Sequence, residues 1–474
     1  MTDFQNQISR RQFIKGAGAV AGLSVLGTLG GFTQSCAGNQ GRNMNITIAS
    51  VDSNFEREPL LRPFGFKGSA MTEVWQVGAL LESESGTRKF GLGCQNVLWS
   101  DSSVFAAHSE SGGNALMYAI TERALQIANG MTFQSPINLL EEILPEVYEY
   151  AKQITNNPDL RKTFALNALV GFDNAAWLLY AEENGITDFD TMVPSQYRPA
   201  LSHKHDRVAS VPAISYATPL DEMVELVDQG YFLMKIKIGH AGTQQEMLEK
   251  DKERLLAIHD SIGDRETDQT PDGKIPYYLD ANGRYESKDA LLEIIDYTKK
   301  IGMHEQILCI EEPFPEPLQV DVSDVDAVIV SDESAHTDED ALERIEMGYS
   351  AIALKDIAKT LSMTLKIAKV AYERDIPLLC ADLTVNPFLV DWNKNIAARL
   401  EGFPGLGDMN LMENNGHQNY RDWERLETYH PCNGASWTEA QNGVFMTNDD
   451  FYERSGCIFE QPEHYAQMFQ HQTM

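Results

Sequence analysis

The sequence is poor in basic residues and in cysteine, and it lacks a long unbroken run of apolar residues. Against 70 Asp and Glu residues it has only 38 Lys and Arg, which gives a formal net charge of −32. A chain this acidic repels phosphate backbones, so we expect no nucleic-acid partner. The 6 scattered cysteines exclude a disulfide scaffold and a CxxC zinc site. An apolar share of 43% and a charged share of 23% are ordinary for a globular protein and exclude disordered, collagen-like and polytopic membrane proteins.

The N-terminus has the layout of an export signal. Residues 9–15 read Ser-Arg-Arg-Gln-Phe-Ile-Lys, and a weakly apolar run rich in Gly and Ala extends to Phe32. This run is too short and too often interrupted by glycine to span a membrane stably. The paired arginines resemble a twin-arginine (Tat) signal, the alternative being a basic amphipathic helix. The resemblance predicts a signal peptide over residues 1–38, the Tat export machinery as a partner, and a periplasmic mature protein. Cys36 is a candidate for lipid anchoring, although Thr33 stands where a lipobox has an aliphatic residue.

The mature chain begins with a region that mixes strands and helices. Residues 45–190 combine a three-stranded meander with three helical patterns, which predicts an α+β capping domain. A loop rich in Pro, Gly and Arg is expected after the first strand. The meander strands are predicted over Ile46–Val51, Thr72–Glu82 and Arg88–Cys94, and the helices over Gly113–Asn129, Pro136–Thr155 and Leu160–Glu183.

Eight short apolar runs then alternate with amphipathic stretches over residues 207–428. This alternation predicts an α/β fold, specifically a (β/α)₈ TIM-type barrel. The segment 429–474 is irregular, and we expect it to pack on the capping domain. The predicted barrel strands are Ala209–Tyr216, Phe232–Ile238, Pro276–Leu279, Ile307–Ile310, Ala327–Val330, Ala351–Leu354, Ile376–Cys380 and Met409–Met412.

Charged residues stand at the ends of the second to the sixth predicted strands, where a barrel places its chemistry. Asp280, Glu311 and Asp332 follow neighbouring strands, so their carboxylates converge and repel one another unless a divalent cation neutralises them. Oxygen ligands without His or Cys predict Mg²⁺, with Mn²⁺ as the alternative. The strand ends are, in order, Lys235-Ile-Lys237, Asp280-Ala-Asn282, Glu311-Glu312-Pro313, Ser331-Asp332-Glu333 and Leu354-Lys355-Asp356.

Two lysines are expected to face one another across the barrel. Strands two and six lie opposite in an eight-stranded ring, which places Lys237 and Lys355 on opposite sides. Lys235 points the same way as Lys237, because side chains two residues apart share a face of a strand. A solvated strand edge explains one lysine pair and a helix cap explains one acid, but neither explains five such motifs in succession. Glu312 and Glu333 are expected to support or cap their neighbours.

Together these motifs resemble the enolase superfamily of the mandelate racemase and muconate lactonizing type, over about Ile46 to Met412. Val170-Gly-Phe-Asp-Asn-Ala-Ala-Trp177 and the Gly91-Leu-Gly93 hairpin resemble its capping region. The resemblance implies a Mg-dependent racemase or epimerase that removes the proton α to a carboxylate and forms an enediolate. A small carboxylate, such as an amino-acid derivative, a dipeptide or a hydroxy acid, is the implied substrate. A homo-oligomer is expected.

The resemblance also implies a role for each strand-end residue. The carboxylates of Asp280, Glu311 and Asp332 bind Mg²⁺. Lys237 and Lys355 form the acid/base pair, and Lys235 helps to hold the substrate carboxylate.

The chain departs from the family at positions that bear on the substrate. Many relatives have Gly-Gly where this chain has Ala358-Lys-Thr-Leu-Ser, and dipeptide epimerases have Asp-x-Asp where it has Met412-Glu413-Asn414-Asn415. His240 and His417 are expected to be loop residues. The candidate residues for substrate contacts are Asn282, Asp382, Asn386 and Glu413 in the barrel and Arg57, Arg62 and Lys67 in the cap loop.

Several other functions remain open on the sequence. Within the same fold, an acid-sugar dehydratase, a succinylbenzoate-synthase-like reaction or a cycloisomerase would use the same residues. A Schiff base on a barrel lysine is a different chemistry, but it has no need of three clustered carboxylates. A non-catalytic exported binding protein is the remaining alternative, and the two opposed lysines argue against it.

Overall fold

The computed structural model describes residues 44–470. The predicted signal peptide, with its paired arginines and Cys36, lies outside the described residues. Within residues 44–470, no helix has the length and apolar character needed to cross a membrane.

The described chain begins with a four-stranded sheet. Its strands are β1 (Ile46–Phe66), β2 (Ser69–Ser83), β3 (Arg88–Gln95) and β4 (Thr132–Phe133), in the order β3-β2-β1-β4. The three long strands form the predicted antiparallel meander.

The expected loop after Val51 is wrong, because β1 continues to Phe66. Its backbone pairs with β2 as far as the turn at Lys67 and Gly68, with a register shift between Pro59 and Phe64. Both turn residues have positive φ, 47° and 81°, as a tight two-residue hairpin requires. The irregularity accommodates the proline, which cannot donate to a regular ladder. What the composition predicts as a loop is therefore a long rigid hairpin.

Helices pack against one face of this sheet. A Cβ atom on Gly91 would lie 2.4 Å from the carbonyl oxygen of Gly171, so the absence of side chains lets strand and helix backbones touch. The predicted Leu160–Glu183 helix is two helices that meet at Leu169. The helices of the capping region are Val97–Ser100, Ser102–Ala107, Glu110–Ala128, Pro136–Thr155, Lys162–Ala168, Val170–Glu183 and Phe189–Met192.

The predicted (β/α)₈ barrel is confirmed. Its first strand consists of β5 (Arg207–Val211) and β6 (Ala213–Ile214), separated at Pro212. β5 pairs in parallel with the last barrel strand and β6 with the second, so this interrupted strand closes the ring. The other barrel strands are β7 (Met234–Lys237), β8 (Tyr277–Asp280), β9 (Ile307–Glu311), β10 (Ile329–Ser331), β11 (Ala351–Leu354), β12 (Leu378–Cys380) and β13 (Asn410–Glu413).

Helices surround the barrel, and small or apolar side chains fill its interior. The helices are Leu220–Asp228, Gln244–Ile262, Lys288–Ile301, Asp338–Glu346, Asp356–Lys359, Leu361–Tyr372, Pro387–Ala397, Gly416–Asn419 and Trp423–Glu427. One buried cluster joins Ala209, Val211, Tyr278, Cys309, Val330, Ala351, Ala353, Leu379, Ala381 and Leu411. The interior is thus a packed core, and the open space lies at its ends.

The C-terminal segment contacts both the barrel and the capping region. Strand β14 (Val444–Met446) pairs antiparallel with β5, while the side chain of Asn54 donates to the carbonyl oxygen of Met468 at 2.8 Å. The ring of Phe469 lies 5.6 Å from that of Phe90 in the meander. The segment contains the helices Asp449–Arg454 and Glu463–Ala466 and a disulfide between Cys432 and Cys457. The segment therefore contacts the barrel in addition to the capping region on which it is expected to pack.

Candidate active site

A cavity lies at the carboxyl ends of the barrel strands, beneath the tip of the β1–β2 hairpin. One half of its wall is charged and comes from the barrel. The other half is apolar and comes mainly from the capping region. The lining residues are Phe64, Phe66, Met71, Asn96, Leu98, Trp99, Lys235, Lys237, Asn282, Asp332, Lys355, Asp382, Leu383, Thr384, Glu413 and Asn415.

Lys235 and Lys237 share one carboxylate at the end of the second and third barrel strands. The Nζ atom of Lys237 lies 2.5 Å from Asp280 Oδ2, and that of Lys235 lies 3.0 Å from the same oxygen. Lys235 also pairs with Glu311 at 2.7 Å and with Glu413 at 3.1 Å. Both lysines therefore point to the same side of their strand, as the spacing predicts.

Lys355 and Lys359 share a second carboxylate on the far side of the cavity. Lys355 Nζ lies 2.6 Å from Asp332 Oδ2, and its ammonium lies 4.2 Å from the centre of the Trp99 ring. Lys359 Nζ donates to the backbone carbonyl of Asp332 at 2.7 Å and lies 3.3 Å from Oδ1. Sequence reasoning missed Lys359, although it lies in the stretch that departs from the family pattern. Each side of the site thus has two lysines and one aspartate.

Three buried carboxylates come together in an arrangement that a divalent cation would fit. One oxygen each from Glu311, Asp332 and Glu333 lies within 4.8 Å of the other two. Glu333 Oε2 is buried and makes no hydrogen bond to any of residues 44–470, so it has a free position for a cation. Asp280 is not a member of this group, but Asn282 links it to Glu333 through contacts of 3.1 and 3.0 Å. The donor set contains only oxygen, which suits Mg²⁺.

Burial and neighbouring charges shift the pKa values of the buried carboxylates and of Lys235. Burial raises the pKa of Glu311 well above its usual range, and the neighbouring Asp280 adds to this shift. Burial also disfavours the ionised form of Asp280, but Lys235 and Lys237 outweigh it and lower the pKa to about 2. For Lys235, burial is likewise outweighed by its carboxylate partners, and the pKa is raised well above its usual value.

Asp382, Glu413 and Asn415, at the ends of strands seven and eight, form a hydrogen-bonded frame in the wall of the cavity. The N–H of Asp382 donates to Glu413 Oε2 at 3.0 Å, and the N–H of Asn415 donates to Asp382 Oδ2 at 2.7 Å. The Asn415 side chain completes the frame by donating to Glu413 Oε1 at 2.7 Å. Burial and the charge of Glu413 raise the pKa of Asp382 to about 6.

The basic residues of the hairpin are less close to the cavity than the sequence suggests. The guanidinium of Arg57 stacks 4.6 Å above the Trp75 ring, and Arg62 pairs with Glu222 at 3.1 Å, so neither lines the cavity. The ammonium of Lys67 lies 4.0 Å from Glu333 Oε1, at the edge of the carboxylate group.

Asn386 and the two histidines have structural surroundings. Asn386 donates to the side chain of Gln76 at 2.7 Å, which joins the barrel to the meander. His240 lies in a loop and contacts the buried carboxylate of Asp251 at 2.6 Å. The expectation of a loop is wrong for His417, which lies in the short helix Gly416–Asn419. Burial lowers its pKa to about 4.

Sequence reasoning missed the apolar half of the wall. Phe64 and Phe66 stand in the segment expected to be a loop, and Trp99 lies in a short helix that follows the meander. No local motif marks them, because they reach the cavity only through the docking of the capping region on the barrel.

The N-terminal residues match a known family of export signals. Residues 7–27 match the family described as TAT (twin-arginine translocation) pathway signal sequence. This match supports export across a membrane by the Tat machinery. Among curated proteins, none matches this sequence.

Solved structures share the fold. A mandelate racemase/muconate lactonizing protein from Herpetosiphon aurantiacus is 16% identical, with a TM-score of 0.59 over 84% of this chain and 95% of its own. A dipeptide epimerase from Enterococcus faecalis V583, complexed with Mg and L-Leu-L-Tyr, is 17% identical, with a TM-score of 0.59 over 85% of this chain and 98% of its own. An N-succinyl Arg/Lys racemase from Bacillus cereus ATCC 14579 is 14% identical, with a TM-score of 0.56 over 80% and 89%. At these identities the likeness establishes the fold.

Proposed function

We propose that this chain, which has the fold of enolase-superfamily racemases and epimerases, is an exported, divalent-metal-dependent racemase or epimerase. It would act on the carbon α to a substrate carboxylate. One observation carries the proposal: Lys237 and Lys355, from opposite strands of the ring, both line the cavity whose wall includes Asp332, a candidate metal ligand. Two opposed bases around one carbon are what inversion of configuration requires.

The lysines supply the proton transfers. In the proposed reaction one of Lys237 and Lys355 removes the α proton from one face of the carbon, and the other returns a proton to the opposite face. A divalent cation held by Glu311 and Asp332, with Glu333 or Asp280 as third ligand, would polarise the substrate carboxylate and stabilise the enediolate. Lys235, in the second strand, would hold the same carboxylate. The hairpin tip and Trp99 exclude water from above.

The metal and the substrate are proposed at the level of class. Mg²⁺ fits the oxygen donors, with Mn²⁺ as the alternative. The substrate is a small carboxylate, drawn from amino-acid derivatives, dipeptides and hydroxy acids. A polar base and an apolar ceiling in the cavity suit a substrate that carries its carboxylate at one end and an apolar group above it.

The location of the mature protein follows from the export signal. We propose that it is periplasmic, with anchoring through a lipid on Cys36 as the alternative. The assembly is proposed to be a homo-oligomer.

An exchange experiment tests the reaction. The Mg²⁺-loaded protein is incubated in deuterated water with N-acyl amino acids, dipeptides and sugar acids, and the α proton is followed by NMR. Wash-in of deuterium at the α carbon of both stereoisomers supports the proposal. Loss of a β-substituent supports the dehydratase alternative, and trapping by borohydride supports a Schiff base. No reaction with any substrate class contradicts catalysis and leaves the binding-protein alternative.

A further inference from the structure

Asp382 is a buried carboxylate with one oxygen held and the other free. Its side chain lines the cavity, and the residue is only 5% exposed. Oδ2 accepts the N–H of Asn415 at 2.7 Å, whereas Oδ1 makes no hydrogen bond within the described part of the chain. A buried carboxylate oxygen without a partner is costly, so a group that pairs with it gains binding free energy.

The other carboxylates that line the cavity already have cationic partners. Asp332 pairs with Lys355 at 2.6 Å, and Glu413 pairs with Lys235 at 3.1 Å. Asp382 has no ion pair of this kind among residues 44–470. It is also outside the carboxylate group of Glu311, Asp332 and Glu333.

A hydrogen bond from Asn415 holds the carboxylate of Asp382 at the wall of the cavity. Asp382, Glu413 and Asn415 are joined by three hydrogen bonds of 2.7 to 3.0 Å, which leave the carboxylate little freedom to turn away. Glu413 has no such free oxygen, because its Oε2 accepts a hydrogen bond from Lys235 and its Oε1 accepts one from Asn415.

We propose that Asp382 binds an ammonium group of the substrate. The inference rests on the proposed function and extends it: the substrate would be a carboxylate that also carries a positive charge. Its carboxylate end would lie toward strands three to five, and its ammonium end would lie at the end of strand seven. The site thereby selects for charge at both ends of the molecule, and a neutral acyl counterpart of the same shape binds less well.

Matched ligands test the proposal directly. Calorimetry on the full-length, Mg²⁺-loaded protein compares racemic glycyl-alanine with acetyl-alanine, β-alanyl-alanine with propionyl-alanine, and γ-aminobutyryl-alanine with butyryl-alanine. Each pair differs by one amino group, and the series varies its distance from the carboxylate. We expect the ammonium compound of at least one pair to bind about tenfold more tightly or better.

Two variants test whether the preference for the ammonium compounds depends on Asp382. Asp382→Asn keeps the shape and removes the charge, and it should reduce the preference to within about twofold. Glu225→Gln removes one exposed negative charge outside the cavity and should leave the preference unchanged. Unaltered Mn²⁺ affinity in Asp382→Asn shows that the rest of the site is intact. Should that variant not fold, the matched pairs on the unmodified protein still decide whether an ammonium is preferred.

The outcomes separate this inference from the proposed reaction. No preference in any pair overturns the ammonium site, and so does a preference that survives Asp382→Asn. Deuterium exchange on the same compounds is measured in parallel. Deuterium exchange without a preference for the ammonium compounds supports the proposed reaction and contradicts the ammonium site. A preference without deuterium exchange supports the ammonium site and contradicts the proposed reaction.

Discussion

The carboxylate of Asp173 accepts two hydrogen bonds from Ser362, one from its backbone N–H at 3.0 Å and one from its hydroxyl at 2.5 Å. Asp173 lies in the capping helix Val170–Glu183, and Ser362 lies in the first turn of the barrel helix Leu361–Tyr372. Trp177, from the same capping helix, donates to the Ser362 hydroxyl at 3.0 Å. A buried acid therefore joins the two regions of the molecule.

This joint makes the free energy of unfolding depend on pH. Burial raises the pKa of Asp173 from 3.8 to about 7, although the Ser362 hydrogen bonds oppose the shift. Between about pH 4 and 7 the unfolded chain loses this proton while the folded chain keeps it, so stability falls as pH rises. Asp173→Asn should reduce the slope by up to about 1.4 kcal/mol per pH unit.

Urea unfolding at about pH 4.5, 5.5 and 6.5 measures this slope. Burial also raises the pKa of Asp356 to about 7, so the slope should decrease in Asp173→Asn without vanishing. An identical slope in the variant and the unmodified protein would contradict the prediction.

Metal affinity should depend on Glu311 more than on any supporting residue. Glu311→Ala removes a carboxylate from the buried group, and Mn²⁺ affinity should fall by more than the roughly 10- to 100-fold typical of supporting residues. Asp382→Asn, which lies outside the group, serves as the control and should bind Mn²⁺ normally. Titration followed by electron paramagnetic resonance measures both. Tight binding by Glu311→Ala would show that the ligand assignment is wrong.

The third metal ligand can be identified by the same titration. The geometry groups Glu333 with Glu311 and Asp332, whereas the family resemblance implies Asp280 in its place. Glu333→Gln and Asp280→Asn are therefore compared, and the true ligand is the one whose loss causes the larger fall in affinity.

Each of the opposed lysines should serve one face of the substrate. Lys237→Ala and Lys355→Ala should each reduce interconversion by about 100- to 10,000-fold. Each variant should still exchange the α proton of one stereoisomer, and the two variants should retain opposite stereoisomers. Lys394→Met removes a buried lysine that pairs with Asp391 far from the cavity, and it should affect stability but not exchange. Loss of the same stereoisomer in both lysine variants would contradict the two-sided arrangement.

Export should require the paired arginines. Replacing Arg10 and Arg11 by Lys keeps the charge of the signal but changes the residues that the Tat signal family matches over residues 7–27. We expect unprocessed precursor in the cytoplasm, detected by cell fractionation. Arg42→Lys, the same charge-preserving exchange outside residues 7–27, is the control and should leave processing unchanged. Normal processing of the double variant would exclude the Tat route.

The periodicity of the sequence was sufficient for the barrel, because short buried strands leave a local signal. Lys237, Asp280 and Glu311 each end a strand in the structure, as the alternation of apolar runs predicts. The long hairpin was not predictable in this way. Its Pro, Gly and Arg content is typical of a loop, and its strand conformation depends on pairing with residues of β2. Strand β14 is only three residues long and exists through its pairing with β5.

The same contrast applies to the site. Residues at strand ends converge because the ring geometry brings them together, so Lys235, Asp332 and Lys355 could be found from spacing alone. The contribution of Trp99 depends on how the capping region docks, and no local pattern encodes that. Arg57 shows the opposite case. The sequence predicts a substrate contact for this residue of the cap loop, but its guanidinium stacks on the ring of Trp75.

The C-terminal segment of the described chain contacts both the first strand of the capping region and the first strand of the barrel. These contacts determine when the protein can finish folding in the cell. Asn54 in strand β1 donates to the carbonyl oxygen of Met468, and strand β14 pairs with the first barrel strand. Both regions therefore lack contacts until residues 444–468 have been synthesised. The Tat route carries proteins that have already folded. We therefore expect export by this route only after residues 444–468 have left the ribosome, and a product truncated before them would lack these contacts.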